Sequence, residues 1–179
     1  MPRGLLIVDI QRDYFPGGAF PLVEPEAAAA NARRVLAAFR AAGEPVVHLQ
    51  HVWDEPDATF MRPGTEGVEI HPSVAPLDGE PVLQKAAPNG FVGTDLEREL
   101  RDSGVQELVV AGMMSSMCVD ATVRAAADLG FDVTVVHDGC AAPNLEFMGQ
   151  SIPGTVVHAA FMAALGDGYA RLVSADELG

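Results

Sequence analysis

One alternation limits what this chain can fold into: short apolar runs recur, and most are separated by stretches of helical length. "GLLIVD" (Gly4 to Asp9) is a continuous apolar run, as a strand buried on both faces requires. "PEAAAANARRVLAAFRAAG" follows, with Pro25 near a helix start and Gly43 just past its end. Further strands are expected at Pro45 to His51, Pro81 to Lys85, Glu107 to Gly112 and Asp132 to Cys140, with a final strand and tail in "ARLVSADEL". Helices are expected over Gly93 to Gly104, opened by Thr94 as N-cap, over Cys118 to Leu129, and from about Thr155 to Leu165. A long stretch from Val52 to Pro81, rich in Pro, Gly, Asp and Glu, interrupts the rhythm. Strands alternating with helices predict βαβ units: an α/β, three-layer α/β/α, Rossmann-like fold with a mainly parallel sheet covered on both faces.

Composition narrows the function. A length of 179 residues suits a single domain spanning 1–179. A formal charge of −14 argues against nucleic acid and anionic membranes as partners, since no basic patch exists to bind phosphates. No apolar run approaches the roughly 20 residues that span a bilayer. The start, "MPRGLLIVDIQRDYF", acquires charge at once and has no signal-peptide pattern. Two cysteines, Cys118 and Cys140, do not make a disulfide framework, so a cytoplasmic protein with reduced thiols is expected.

In a parallel sheet of this kind, chemistry gathers beyond the carboxyl ends of the strands. Asp9, Lys85 and Cys118 lie at such ends. Singly, each has an ordinary explanation: a loop-capping carboxylate, a solvated ammonium, a small core residue. Together they are a nucleophile, a proton carrier and a cation. A helix N-terminus and a nearby ammonium would lower the thiol pKa of Cys118, and Asp9 could take its proton and later deliver it. Ser115 and Ser116 suit the cap of the helix carrying Cys118. Cys140, His48, His137 and His158 read as structural.

"LLIVDIQRDYFPGG", "PGTEGVEIHPSVAP" and the stretch from "QKAAPNGFVGTDLE" through "GMMSSMCV" to "HDGCAA" resemble the isochorismatase-like cysteine hydrolase superfamily. That superfamily includes nicotinamidases, N-carbamoylsarcosine amidohydrolases, ureidoacrylate amidohydrolases, streptothricin hydrolases and isochorismatases. The resemblance implies a six-stranded, Rossmann-like parallel sheet and a catalytic Asp9, Lys85 and Cys118. It also implies a cis Met113–Met114 bond and an oxyanion hole made by the N–H groups of Met114 and Cys118. Because isochorismatases proper generally lack the cysteine, Cys118 favours hydrolysis of a C–N bond in a small amide, ureido compound or lactam. A vinyl-ether hydrolase using Asp9 alone, or a non-catalytic binding member, are the alternatives.

Nicotinamidases hold a metal through an Asp-x-His pair after the second strand, where this chain has His51 and Trp53. No metal and no other cofactor is therefore expected, although Asp54, Asp57 and His71 could in principle hold a cation. Phe15, Phe20, His51, Trp53, Phe91 and Met113 are the candidate lining of a small-molecule pocket. "NLEFMGQSIPG" reads as a lid or a subunit contact, and relatives suggest a homo-oligomer, dimer or tetramer.

Overall fold

The computed structural model describes residues 1–178. Six strands form one parallel sheet: β1 (Arg3–Val8), β2 (Val46–His51), β3 (Val82–Lys85), β4 (Glu107–Met113), β5 (Asp132–Ala141) and an edge strand numbered β8 (Arg171–Val173). Their order is β3-β2-β1-β4-β5-β8, so the direction of winding reverses between β1 and β4. A crevice opens at such a reversal, beyond the carboxyl ends of the two strands.

Pleating explains the continuous apolar runs. Leu5 and Ile7 of β1 and Val109, Ala111 and Met113 of β4 enter one core; Leu6, Val8, Leu108 and Val110 enter the other. Helix α1 (Pro25–Ala42) covers the first face with Ala28, Ala29, Ala32, Val35, Leu36 and Phe39. The second face is covered by α2 (Leu96–Asp102), α3 (Asp120–Asp128) and α4 (Gly154–Gly168), through Leu96, Leu100, Val123, Met162 and Leu165. Each fully buried Leu or Phe contributes roughly 1.5–3 kcal/mol, so both layers are needed to hold the sheet.

Differences from expectation are local. Thr94 precedes α2 rather than capping it directly: Asp95 takes the N-cap position, while Thr94 Oγ1 accepts from Leu96 N–H at 3.2 Å. Residues 145–152 form a hairpin of β6 (Leu145–Phe147) and β7 (Gln150–Ile152), with Phe147 and Met148 exposed. The expected C-terminal strand is short and followed by a 3-10 turn at Ala175–Glu177. His48 is buried and bonds Glu80 through Nε2 at 3.0 Å; the Arg40 guanidinium holds the Glu80 carboxyl down at about 2.

Gly112 sits opposite Val8 in the β1–β4 pairing, with φ of 148°. A Cβ there would collide with the Val8 carbonyl oxygen. Gly112 therefore lets the two strands at the reversal approach closely, where a side chain is forbidden by both space and backbone conformation. Gly43, the left-handed residue closing α1, has φ of 66° but open space around its Cβ position. Gly112→Ala should thus cost about 3 kcal/mol or more, whereas Gly43→Ala should cost about 1 kcal/mol. Equal losses in urea unfolding would contradict this account of the β1–β4 contact.

Candidate functional site

Four adjacent strands each deliver one chemically capable side chain to the same end of the sheet. In spatial order these are Lys85 from β3, His51 from β2, Asp9 just after β1, and Cys118 in the turn after β4. Asp9 has φ of 47°, a left-handed conformation that aspartate tolerates better than most residues, and it turns the chain out of the strand. The three residues expected from sequence are brought together: Asp9, Lys85 and Cys118 are all buried, at 0%, 3% and 4% exposure.

Lys85 is the hub. Its Nζ stands 2.7 Å from Asp9 Oδ2, donates to the Ala87 carbonyl at 3.0 Å, and lies 3.1 Å from His51 Nδ1. An ammonium has three N–H groups, and three acceptors surround this one. The carboxylate is less encumbered. Despite the short ion pair, neither Asp9 oxygen accepts a hydrogen bond of good geometry among the described residues, so lone pairs remain for a thiol or a substrate proton.

Cys118 lies in a π-helical turn, Ser115–Val119, that precedes α3. Such widened turns recur at functional sites. Here the Met114 carbonyl accepts from both Met117 and Val119 N–H groups, each at 3.1 Å. The Met113–Met114 peptide bond is cis, as the family resemblance implied. Two expectations need correction. Neither Ser115 nor Ser116 caps the turn; Ser115 is buried and its Oγ pairs with His158 Nδ1 at 2.8 Å. The thiol is also not acidified: burial pushes its pKa well above the ordinary value, the Asp9 carboxylate adds to this, and Lys85 only partly opposes it. Desolvation outweighs the single cation because the thiolate would have almost no water around it.

The expected pocket residues divide. His51 joins the site through Lys85, and burial together with that ammonium pushes its pKa down. Phe15 stacks on His71, with ring centroids 3.8 Å apart, and both line a cavity of about 670 Å³. None of Asp9, Lys85 or Cys118 lines that cavity. Phe20 and Trp53 pack against Phe60 at 4.8 and 5.4 Å between centroids. Met113 is wholly buried in the core on the α1 side, and Phe91 stacks on Phe131 against the other core, which also contains Cys118.

Residues that pattern-reading passed over sit in "DIQRDY". Gln11 is fully buried; its carboxamide donates to the carbonyls of His51 (2.8 Å) and Val68 (2.7 Å) and accepts from His51 N–H (2.8 Å). Asp13 accepts from the N–H groups of Ala19 at 3.0 Å and Met61 at 2.6 Å, tying the long loop after β2 to the start of the chain. Tyr14 is also buried, and that burial pushes its phenol pKa upward. Three polar residues inside four, straight after a buried strand, were the available signal.

Among the described residues, Asp9, His51 and Cys118 are the group whose ligand atoms could converge on a metal, all lying within 4.8 Å of one another. The Lys85 ammonium already contacts two of the three, so it supplies the positive charge of that cluster. Asp54, Asp57 and His71 do not form such a group. No helix among the described residues is long and apolar enough to cross a membrane.

Comparison with known proteins places the chain in a family. The family described as "Isochorismatase domain" matches residues 3–176. An uncharacterized isochorismatase family protein of Bacillus subtilis, YddQ, is 51% identical over 172 residues, covering 96% of each chain. A streptothricin hydrolase of Streptomyces noursei is 38% identical over 92% of this chain and 60% of its own length. The crystal structure of a proposed isochorismatase hydrolase from Oleispira antarctica superposes with a TM-score of 0.95 at 48% identity, covering 99% of this chain and 95% of that one.

The raised thiol pKa has a measurable consequence. Unfolded, Cys118 ionises near 8.5; folded, it stays protonated to much higher pH. Its contribution is therefore complete below about pH 8 and declines as pH rises beyond the unfolded value, by up to about 1.4 kcal/mol per pH unit. Between pH 8.5 and 9.5, wild-type unfolding free energy should fall more steeply than that of Cys118→Ala. Parallel slopes would mean that the thiol is not held neutral.

Proposed function

Because this chain belongs to the isochorismatase family, and is a hydrolase of that family, we propose that it cleaves a C–N bond through a thioester on Cys118. The substrate class is a small amide, ureido compound or lactam. One observation carries the reading: a buried thiol, a carboxylate with free lone pairs and an ammonium are delivered side by side at the reversal of a parallel sheet.

The chemistry follows from the protonation states. The thiol is neutral at rest, so sulfur must lose its proton as it attacks. Asp9 accepts that proton while the S–C bond forms, and the carbonyl π electrons move onto oxygen. The N–H groups of Met114 and Cys118 hold the oxyanion. Asp9 then gives the proton to the departing nitrogen, the C–N bond breaks, and ammonia or an amine leaves. Water attacks the thioester, passes one proton to Asp9, and the acid departs as Asp9 reprotonates sulfur. Lys85 offsets the carboxylate charge and favours the sulfur anion as it develops.

The mixed lining of the 670 Å³ cavity, with Arg12, Arg62, Glu66, Phe15 and His71, suits a small polar molecule bearing an apolar or ring portion. A screen of primary amides, ureido compounds and lactams, read by ammonia or amine release, should identify a substrate. On that substrate Cys118→Ala and Asp9→Asn should each lower kcat by about 10³-fold or more. Survival of Cys118→Ala, with loss in Asp9→Asn alone, would indicate vinyl-ether-type proton chemistry instead.

A further inference from the structure

His51 has no assigned part in the scheme above, yet it occupies the place between Lys85 and Asp9 in the strand order. Its Nδ1 is 3.1 Å from Lys85 Nζ, and both nitrogens are in the half-buried to buried layer of the site. An ammonium has only donors, so Nδ1 must accept and the imidazole proton resides on Nε2. The peptide carrying this side chain is also held. Gln11 bonds the His51 N–H and its carbonyl, at 2.8 Å each, and adds the Val68 carbonyl at 2.7 Å. One buried carboxamide thus fixes the end of β2 to the loop after β1, two residues beyond Asp9.

We propose that His51 is a positioning residue for the reaction: clamped by Gln11, it takes one N–H of Lys85 and so keeps the ammonium aimed at Asp9 and the Cys118 thiol. The proposal rests on the reading of Cys118 as nucleophile, but the contact it concerns can be tested without a substrate. The Asp9 Oδ2 ion pair at 2.7 Å and the hydrogen bond to the Ala87 carbonyl hold the ammonium from its other sides. Removing the Nδ1 acceptor leaves one N–H unpartnered in a site with little water, and the ammonium would turn to find another. Asp9 and Cys118 bring ligand atoms within 4.8 Å of that of His51; burial and Lys85 push the imidazole pKa down, and Asp9 pulls the other way. A neutral imidazole is what an acceptor from Lys85 has to be.

Two polar substitutions of similar bulk separate positioning from packing. The Asn side-chain oxygen in His51→Asn can stand near the Nδ1 position, whereas His51→Gln carries its oxygen one bond further out. Labelling of Cys118 by iodoacetamide, followed by peptide mass spectrometry from pH 7 to 10, reads the ammonium's effect on the thiol directly. Lys85→Met, lacking the cation, sets the slow limit. His51→Gln should label at least fivefold more slowly than wild type and approach that limit, while His51→Asn should come within twofold of wild type. On a substrate found by the screen, kcat should follow the same order with KM changing less than threefold. Equal labelling profiles for His51→Asn and His51→Gln, in variants with wild-type unfolding midpoints, would overturn the positioning role. Failure of the thioester mechanism has a different signature, turnover by Cys118→Ala, and would leave the labelling comparison intact.

Discussion

A buried ion pair between the ends of two strands that do not touch each other governs this site. Asp9 follows β1 and Lys85 ends β3, with β2 between them, and Nζ still reaches Oδ2 at 2.7 Å. Taking both charges from water costs several kcal/mol per ion, which only close contact and further hydrogen bonds can offset. Lys85 has those further bonds in the Ala87 carbonyl and His51 Nδ1. Asp9 does not, and its unbonded oxygens are the chemically useful part of the arrangement. The pair therefore dictates what its neighbours must do. Gln11 fixes the end of β2, Gly112 allows β4 to lie against Val8, and the π turn after β4 carries Cys118 to the carboxylate.

Much of this was legible in the sequence because strands buried on both faces leave an unambiguous mark. "GLLIVD", "ELVVAG" and "DVTVV" can be little else in a chain of this composition, and a parallel sheet puts their carboxyl ends on one side. Once Asp9, Lys85 and Cys118 are seen at such ends, their convergence follows from topology. What could not be read depends on contacts distant in sequence. Gln11 meets residues 40 and 57 positions away, so nothing near it announces a clamp. Ser115 looks like a helix cap, but His158, 43 residues on, takes its hydroxyl. The "NLEFMGQSIPG" stretch contains a hairpin with two three-residue strands, too short to carry a period. Aromatic residues near the site in sequence, Phe91 above all, proved to belong to different cores.

The thiol is the most instructive departure. Proximity to an ammonium suggests a low pKa, and that argument holds for exposed thiols. Cys118 is almost without solvent, and the carboxylate proposed as its base also disfavours its anion. In the proposed mechanism this makes Cys118 a nucleophile stored in neutral form and activated only as the proton passes to Asp9. A stored thiol resists adventitious alkylation and oxidation, since both proceed through the thiolate. The proposed scheme also couples activation to the arrival of a carbonyl group, because only then can the developing negative charge pass to an oxygen held by backbone N–H groups.

Direct observation of the acyl-enzyme tests this account most closely. With a substrate identified by amine release, rapid acid quench and mass spectrometry of the peptide containing Cys118 should show the mass of the substrate's acyl group during steady turnover. Hydroxylamine should remove it, and Asp9→Asn should fail to accumulate it. Turnover of a good substrate with no acyl mass on that peptide, together with a wild-type rate for Cys118→Ala, would contradict the central claim.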